Sequence, residues 1–416
     1  MKILSIKARE ILDSRGYPTV EAEVILENGL KAKASVPSGA STGTYEALEL
    51  RDGRLERFAG RGILKAIKNL EGPIAQALAG MSVFEQENLD QAMLELDGTD
   101  NKEKLGANAI LAVSLACARA ASLARQQPLY LYLSELAGQR VKREVEIIPL
   151  MNVLNGGAHA GWTTDIQEYM LVPKGAKTFA EKLRSGVEIY YALKEIIKEN
   201  GYGTNLGDEG GFAPEVKDNE EPFKMILSAI EKAGYKAGEE VSLAIDAAAS
   251  EWHRNGQYHL NKQGIMDAGR LMDWYGDLIK KYPLISLEDP FGEDDWSAWT
   301  EFMEKVKDKV MVVGDDLYVT NVSRIERGLQ AKATSAVLIK PNQIGTVTET
   351  LKAIALARQS GQKIVISHRS GETNDDYIAD LAVAVQADYL KAGAPARGER
   401  VAKYNRLMEI EEELAE

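Results

Sequence analysis

The sequence predicts an α/β protein in which a closed β/α barrel follows a separate N-terminal α+β domain, divided as residues 1–137 and 138–416. Three observations predict it. Between Val241 and Gly393, six short apolar runs recur, each closing on a chemically reactive side chain. The first third of the chain instead shows strand-like alternation first and helical periods afterwards, the order of an α+β unit. Between the two blocks lies a polar segment, GQRVKREVE (138–146), that reads as a linker. A chain of 416 residues also exceeds one compact domain of ordinary size.

Taken in order, KILSIKA (2–8) supplies a first strand. TVEAEVILENGLKAKASV (19–36) alternates polar and apolar residues on both sides of Asn28-Gly29, a dipeptide suited to a tight primed turn between antiparallel strands. Helical periods follow in ILKAIKNLEGPIAQALAG (63–80), in VFEQENLDQAMLEL (83–96) and in the Ala-rich run from Asn108. The stretch AILAVSLACARAASLA (109–124) is interrupted by Arg119 and reads as too short to span a bilayer. Pro149 through Val153 opens the second domain. Three Gly-rich loops stand between ordered elements: PSGASTG (37–43), LNGGAHAGW (154–162) and NLGDEGGFAPE (205–215). Each pairs glycines with side chains capable of chemistry, and such loops act where a rigid scaffold presents them.

The six runs are VSLAID (241–246), PLISLED (283–289), VMVVGDD (310–316), SAVLIK (335–340), KIVISHRS (363–370) and DYLKAG (388–393). A continuous apolar run of this length fits a strand buried on both faces. Their terminal groups are Asp246, Glu288, Asp315, Lys340, His368 with Arg369, and Lys391, at intervals of 42, 27, 25, 28 and 23 residues. Those gaps hold one helix each, as right-handed crossovers between parallel strands require. A closed barrel gathers its strand C-termini at one rim, so the seven groups converge on one mouth.

Composition narrows the partners. Apolar residues make up 45% and charged ones 27%, near globular averages, so a sizeable core is possible. A formal charge of −13 argues against a nucleic-acid backbone or an anionic membrane as the main partner. MKILSIKAREILDSRG at the N-terminus lacks a secretory apolar region, and the expected setting is cytoplasmic. A lone Cys117 excludes an intramolecular disulfide and reads as a small core residue.

Asp246, Glu288 and Asp315 each follow an apolar run, so their carboxylates emerge at the rim. Three carboxylates brought together repel unless a cation lies between them. An all-oxygen set with no nearby Cys and few His favours Mg²⁺. Asp289 and Asp316 adjoin two of these acids, and the sequence leaves open which member of each pair faces inward. Lys340 directly follows Val-Leu-Ile; at a rim near Mg²⁺ its pKa would fall, making it a usable general base. Glu209, in the turn GDEGG, could serve as general acid. His159 and His368 fall beside glycine or strand-end motifs, whereas His253 and His259, in EWHRNGQYH, read as surface residues. Arg369, next to Ser370, offers a fork for phosphate or carboxylate.

Several motifs resemble those of the enolase family: SGASTG (38–43), NGGAHAG (155–161), DIQE (165–168), GDEGGFAP (207–214), SLEDPF (286–291), VGDDL (313–317), LIKPNQIGT (338–346), SHRSGET (367–373) and GAPARGERVAKYN (393–405). The likeness runs from DSRG (13–16) to IEEEL (410–414), nearly the whole chain. It implies a modified TIM-type (β/α)8 barrel whose first turns depart from simple alternation, capped by the small N-terminal α+β domain. It also implies reversible dehydration of 2-phospho-D-glycerate to phosphoenolpyruvate, a step of glycolysis and gluconeogenesis, with two Mg²⁺ per active site. By motif position, Lys340 would abstract the proton beside the substrate carboxylate and Glu209 would protonate the departing hydroxyl. Asp246, Glu288 and Asp315 would hold the first Mg²⁺, and Ser41 would help bind the second as its loop closes. Arg369 and Ser370 would hold the phosphate and Lys391 the carboxylate side; His159, Gln167, Glu168 and His368 would complete the pocket. A homodimer, in some members an octamer of dimers, is the implied assembly.

The resemblance has departures. Tyr17 stands in DSRGYPT where Asn is usual, Arg54 where an acid is common, and Pro341 where a large apolar residue often follows the lysine. None removes a proposed catalytic side chain. Rival expectations are a Mg²⁺-dependent relative acting on a sugar acid, an aldolase using Lys340 as a Schiff base, and a binding protein that kept the fold without activity.

Overall fold

The computed structural model describes residues 1–39, 43–306 and 309–416, with every side chain among them except that of His159. Three antiparallel strands open the chain: β1 (Ile3–Leu12), β2 (Pro18–Leu26) and β3 (Lys31–Ser35), ordered β1-β2-β3. Ile25 pairs with Lys31 across the expected Asn28-Gly29 turn, where Gly29 takes a φ of +83° that a residue with a Cβ adopts only under strain. Alternate residues of β2 (Val20, Ala22, Val24 and Leu26) are buried.

The helical period expected over 63–80 is broken into α1 (Leu64–Asn69), one wider π turn (Leu70–Ile74) and α2 (Ala75–Leu78). Pro73 inside that turn supplies the reason, since it has no N–H to continue the α ladder. Then come α3 (Gln86–Asp97), α4 (Ala107–Ala124) and α5 (Leu129–Leu136). The length and composition of α4 would suit a membrane, but it is packed inside the protein against β2 and β3, with Cys117 buried within it. Burial on nearly all sides explains a helix that reads apolar all round.

The second unit begins with β4 (Ile148–Asn155) and β5 (Glu168–Pro173), continues through α6 (Phe179–Glu199) and α7 (Glu221–Lys232), and reaches β6 (Val241–Asp246). A small meander follows, of β7 (His253–Arg254), β8 (Gln257–Leu260) and β9 (Gly264–Met266). His253 is there half-buried against the Tyr258 ring, not a free surface residue. Regular alternation takes over with α8 (Ala268–Lys281), β10 (Leu284–Glu288), α9 (Trp296–Val306), β11 (Met311–Gly314), α10 (Val322–Ala331) and β12 (Ala336–Ile339). It ends with a single turn α11 (Pro341–Ile344), α12 (Val347–Gln359), β13 (Lys363–Ser367), α13 (Tyr377–Ala384), β14 (Tyr389–Lys391) and α14 (Gly398–Ala415).

Eight of these strands close a barrel in the order β10-β11-β12-β13-β14-β4-β5-β6. All neighbours are parallel except that β5 runs against both β4 and β6. The barrel is filled, not hollow: Leu150, Met170, Val172, Ala244, Val313, Leu338 and Val365 form its inner core. With β5 reversed, the connection between α6 and α7 reaches the rim, where Phe212 hydrogen-bonds the end of β4 (Phe212 N to Val153 O 2.9 Å, Asn155 N to Phe212 O 2.8 Å).

The N-terminal unit sits on that same rim. Ser38 bridges to Gly371 just past β13, Ser14 N donates to Glu372 O at 2.7 Å, and Ala47 N to Gln343 O at 2.8 Å. From α4, the Arg119 guanidinium forks onto Asp375 at 2.6 and 2.7 Å. The α+β domain therefore roofs the mouth where the strand-end groups gather.

Candidate active site

Neighbouring strands explain why the first carboxylates meet. Asp246 and Glu288 are register partners at the C-terminal ends of β6 and β10, and Asp315 lies just beyond β11, the next strand round. Parallel strands lie about 5 Å apart, so these acids start close together. Lys391, at the end of β14, reaches across the barrel into them. Its Nζ lies 3.1 Å from Asp246 Oδ2, 2.8 Å from both Glu288 oxygens and 3.2 Å from Glu168 Oε1. Gln167 adds Nε2 to Asp246 Oδ2 at 3.3 Å.

A second cluster forms on the next strands. Lys340 pairs with Asp315 Oδ2, while Gln343 Nε2 donates to Asp315 Oδ1 at 2.9 Å. Asp289, Asp315 and Asp316 have carboxylate oxygens within 4.8 Å of one another, the group of acids compact enough to share a cation among the described residues. This trio overlaps the sequence-predicted one only at Asp315. Asp289 has structural work as well: Oδ1 accepts from Asp315 N at 2.9 Å and Oδ2 from Asp316 N at 2.8 Å. Its own backbone bends to a φ of +41°, turning Glu288 to Lys391 and Asp289 to the next turn.

The electrostatics follow from burial. Glu288 and Glu168 are pushed well above the usual carboxylate range, by desolvation first and then by Asp246 and Glu209 respectively. Asp289 and Asp316 are raised by the same burial and by their acidic neighbours. Asp315 goes the other way: burial opposes its charge, but Lys340 outweighs it. Lys340 in turn is raised: desolvation, the largest influence, lowers it, but its acidic neighbours, Asp315 first and Glu288 after it, together more than offset that. The lowered Lys340 pKa expected from sequence is thus not produced by the protein's own charges. Buried carboxylates this crowded, all oxygen donors, fit a hard divalent cation. Glu168 Oε2 and Gln167 Oε1, both buried, have no hydrogen-bond partner among the described residues.

Glu209 enters from the α6–α7 connection. Asn152 Nδ2 donates to its Oε2 at 2.8 Å, and His368 Nε2 lies 3.5 Å from the same oxygen. Arg369 is engaged bidentately by Glu46, at 2.8 and 3.2 Å, and touches Asn342 Oδ1 at 3.2 Å. Gln167, Glu168, Glu209, Asp246, Asp315, Lys340, His368, Arg369, Ser370 and Lys391 all line one cleft, joined by Asp289 and Asp316 but not by the expected Glu288. His159 is in a short 3₁₀ turn, Gly157–Ala160, beside this rim. Ser41 lies outside the described residues.

Sequence reasoning missed Glu46, Asn152, Gln343 and Arg400. Gln343 follows Lys340 by one helical turn, a spacing that could have been used. Arg400 falls within a quoted motif, yet nothing in its neighbours signals a buried guanidinium.

Two family models match the chain. One, described as the enolase N-terminal domain, covers residues 3–133; the other, described as the enolase C-terminal TIM barrel domain, covers residues 144–416.

Proposed function

The chain belongs to the enolase family, and from that premise we propose that it reversibly dehydrates 2-phospho-D-glycerate to phosphoenolpyruvate. One juxtaposition carries the reading. A lysine and a glutamate suited to act as base and acid line the same buried cleft from separate parts of the barrel. Lys340 leaves β12, whereas the Glu209 loop is stitched to β4, three strands further round.

Removing a proton beside an ionised carboxylate loads a second negative charge onto one group. A placed base contributes roughly 10²–10⁴-fold, while enzymes reach at least about 10⁶-fold. The remainder must come from preorganised positive charge. Lys391 and Arg369 supply fixed cations at the cleft. Asp246, Glu288 and Asp315, with Ser41 for a second ion, would hold Mg²⁺, whose Lewis acidity contributes several kcal/mol toward stabilising such charge. Once neutral Lys340 has taken the proton, Asp315 favours the ammonium formed. Glu209, fixed through one oxygen by Asn152, gives its proton to the departing hydroxyl. Arg369 and Ser370 hold the phosphate, which would take the place Glu46 now has on the Arg369 fork.

Borohydride added with substrate separates the aldolase alternative, since a Schiff base on Lys340 would be trapped by it. The same reading carries a cytoplasmic homodimer, to be tested by sedimentation. Enolpyruvate absorbance should rise on adding 2-phosphoglycerate with Mg²⁺ and stay flat in EDTA. Glu209→Gln should block elimination yet still exchange the substrate's carbon-bound proton with deuterium, followed by NMR; Lys340→Ala should lose both. Exchange surviving only in the lysine variant would reverse the roles.

A further inference from the structure

Arg400 is fully buried, and the carboxylate nearest its guanidinium is Glu399, 3.5 Å from Nε. It spends its donors elsewhere. Nη1 lies 2.6 Å from His368 Nδ1 and 2.5 Å from Arg369 O. Nη2 reaches Ser370 O at 2.5 Å and Asp208 O at 3.1 Å. One side chain thus ties the segment carrying His368, Arg369 and Ser370 to the segment carrying Glu209.

A guanidinium has only donors and keeps its charge at any working pH. The ring nitrogen facing it must therefore accept, so the neutral imidazole carries its hydrogen on Nε2. That nitrogen is buried, has no hydrogen-bond partner among the described residues and lies 3.5 Å from Glu209 Oε2. Asn152 already donates to the same oxygen. Gly393 makes the arrangement possible: a Cβ there would come within 2.8 Å of Glu209 O, 2.9 Å of Arg400 Cδ and 3.1 Å of His368 Cε1.

We propose that Arg400 is a positioning residue for the acid half of the reaction, fixing His368 as an Nε2–H donor aimed at Glu209. The proposal rests on the dehydratase reading for its kinetic consequence, though not for the tautomer. The chain has four histidines, so ¹⁵N-histidine labelling gives a countable spectrum, with His368→Gln identifying its signals. The wild-type protein should show a neutral His368 with Nε2 protonated and Nδ1 bare from pH 6 to 8. Arg400→Gln should lose that signature and lower kcat with 2-phosphoglycerate at least tenfold, while KM changes less than threefold. Arg400→Lys, which keeps one charged donor, should recover part of both. A wild-type His368 protonated on Nδ1 overturns the proposal, as does an Arg400→Gln protein that keeps the signature and its kcat. A wild type that carries the signature, loses it in Arg400→Gln, and yet ignores 2-phosphoglycerate supports the positioning and sinks the reaction.

Discussion

His368 has Arg400 on one ring nitrogen and Glu209 near the other, and its pKa is driven from 6.5 to about 3. Burial is the main cause; Glu209 pulls upward, and Arg400 and Lys391 push down. Between those two pH values the unfolded chain binds a proton that the folded chain refuses. Stability therefore rises with pH across that window, by up to about 1.4 kcal/mol per pH unit from this group. Replacing it, as in His368→Asn, should remove the slope, so the variant gains on wild type as pH falls from 6.5 toward 4 in urea unfolding. Parallel curves would refute this. At this scale the sequence was informative where a reactive side chain ends an apolar run, as Lys340 and Lys391 do, or sits in a glycine turn, as Glu209 does. It was silent on which of Glu288 and Asp289 faces inward, because that depends on a backbone bend at Asp289 and two amide donors beyond β11. Arg400 was equally illegible, since a lone arginine in a polar stretch looks solvated.

Each of the six apolar runs became a barrel strand, VSLAID in full and the other five trimmed by a residue or more where the last side chain turns into a loop. The direction of β5 could not be read from its residues, because a continuous apolar run is the same in either orientation; the family resemblance alone hinted at irregular first turns. Helix starts carry local chemistry. Thr346 Oγ1 accepts from Glu349 N at 3.0 Å at the head of α12 and donates to Glu349 Oε2 at 2.7 Å. Thr346→Ala should therefore cost about 1–2 kcal/mol in denaturant midpoint with kcat unaltered. An unchanged midpoint would mean the cap contributes nothing.

Across the molecule, the roof and the barrel are joined by buried charge. Arg119 on α4 meets Asp375 and Asp376, and Asp375 also accepts from Ser35 N at 2.9 Å. Breaking a buried pair costs about 3–5 kcal/mol, less here because Arg119 keeps a 20% exposed side chain. Arg119→Met should lower the calorimetric melting point by a few degrees while keeping one transition; two separated transitions in the wild type would show the units melt apart. The docking itself was not readable, for charges on α4 and after β13 say nothing of each other in one dimension. Reversing β5 leaves one last consequence. A plain barrel hangs every mouth segment from a stave, but here Glu209 rides on a helix-to-helix cassette, residues 200–220, pinned to β4 through Phe212. Its stretches away from Phe212 can be lengthened while the staves stay in place, so redesign of that side of the cleft belongs there and not at Lys340.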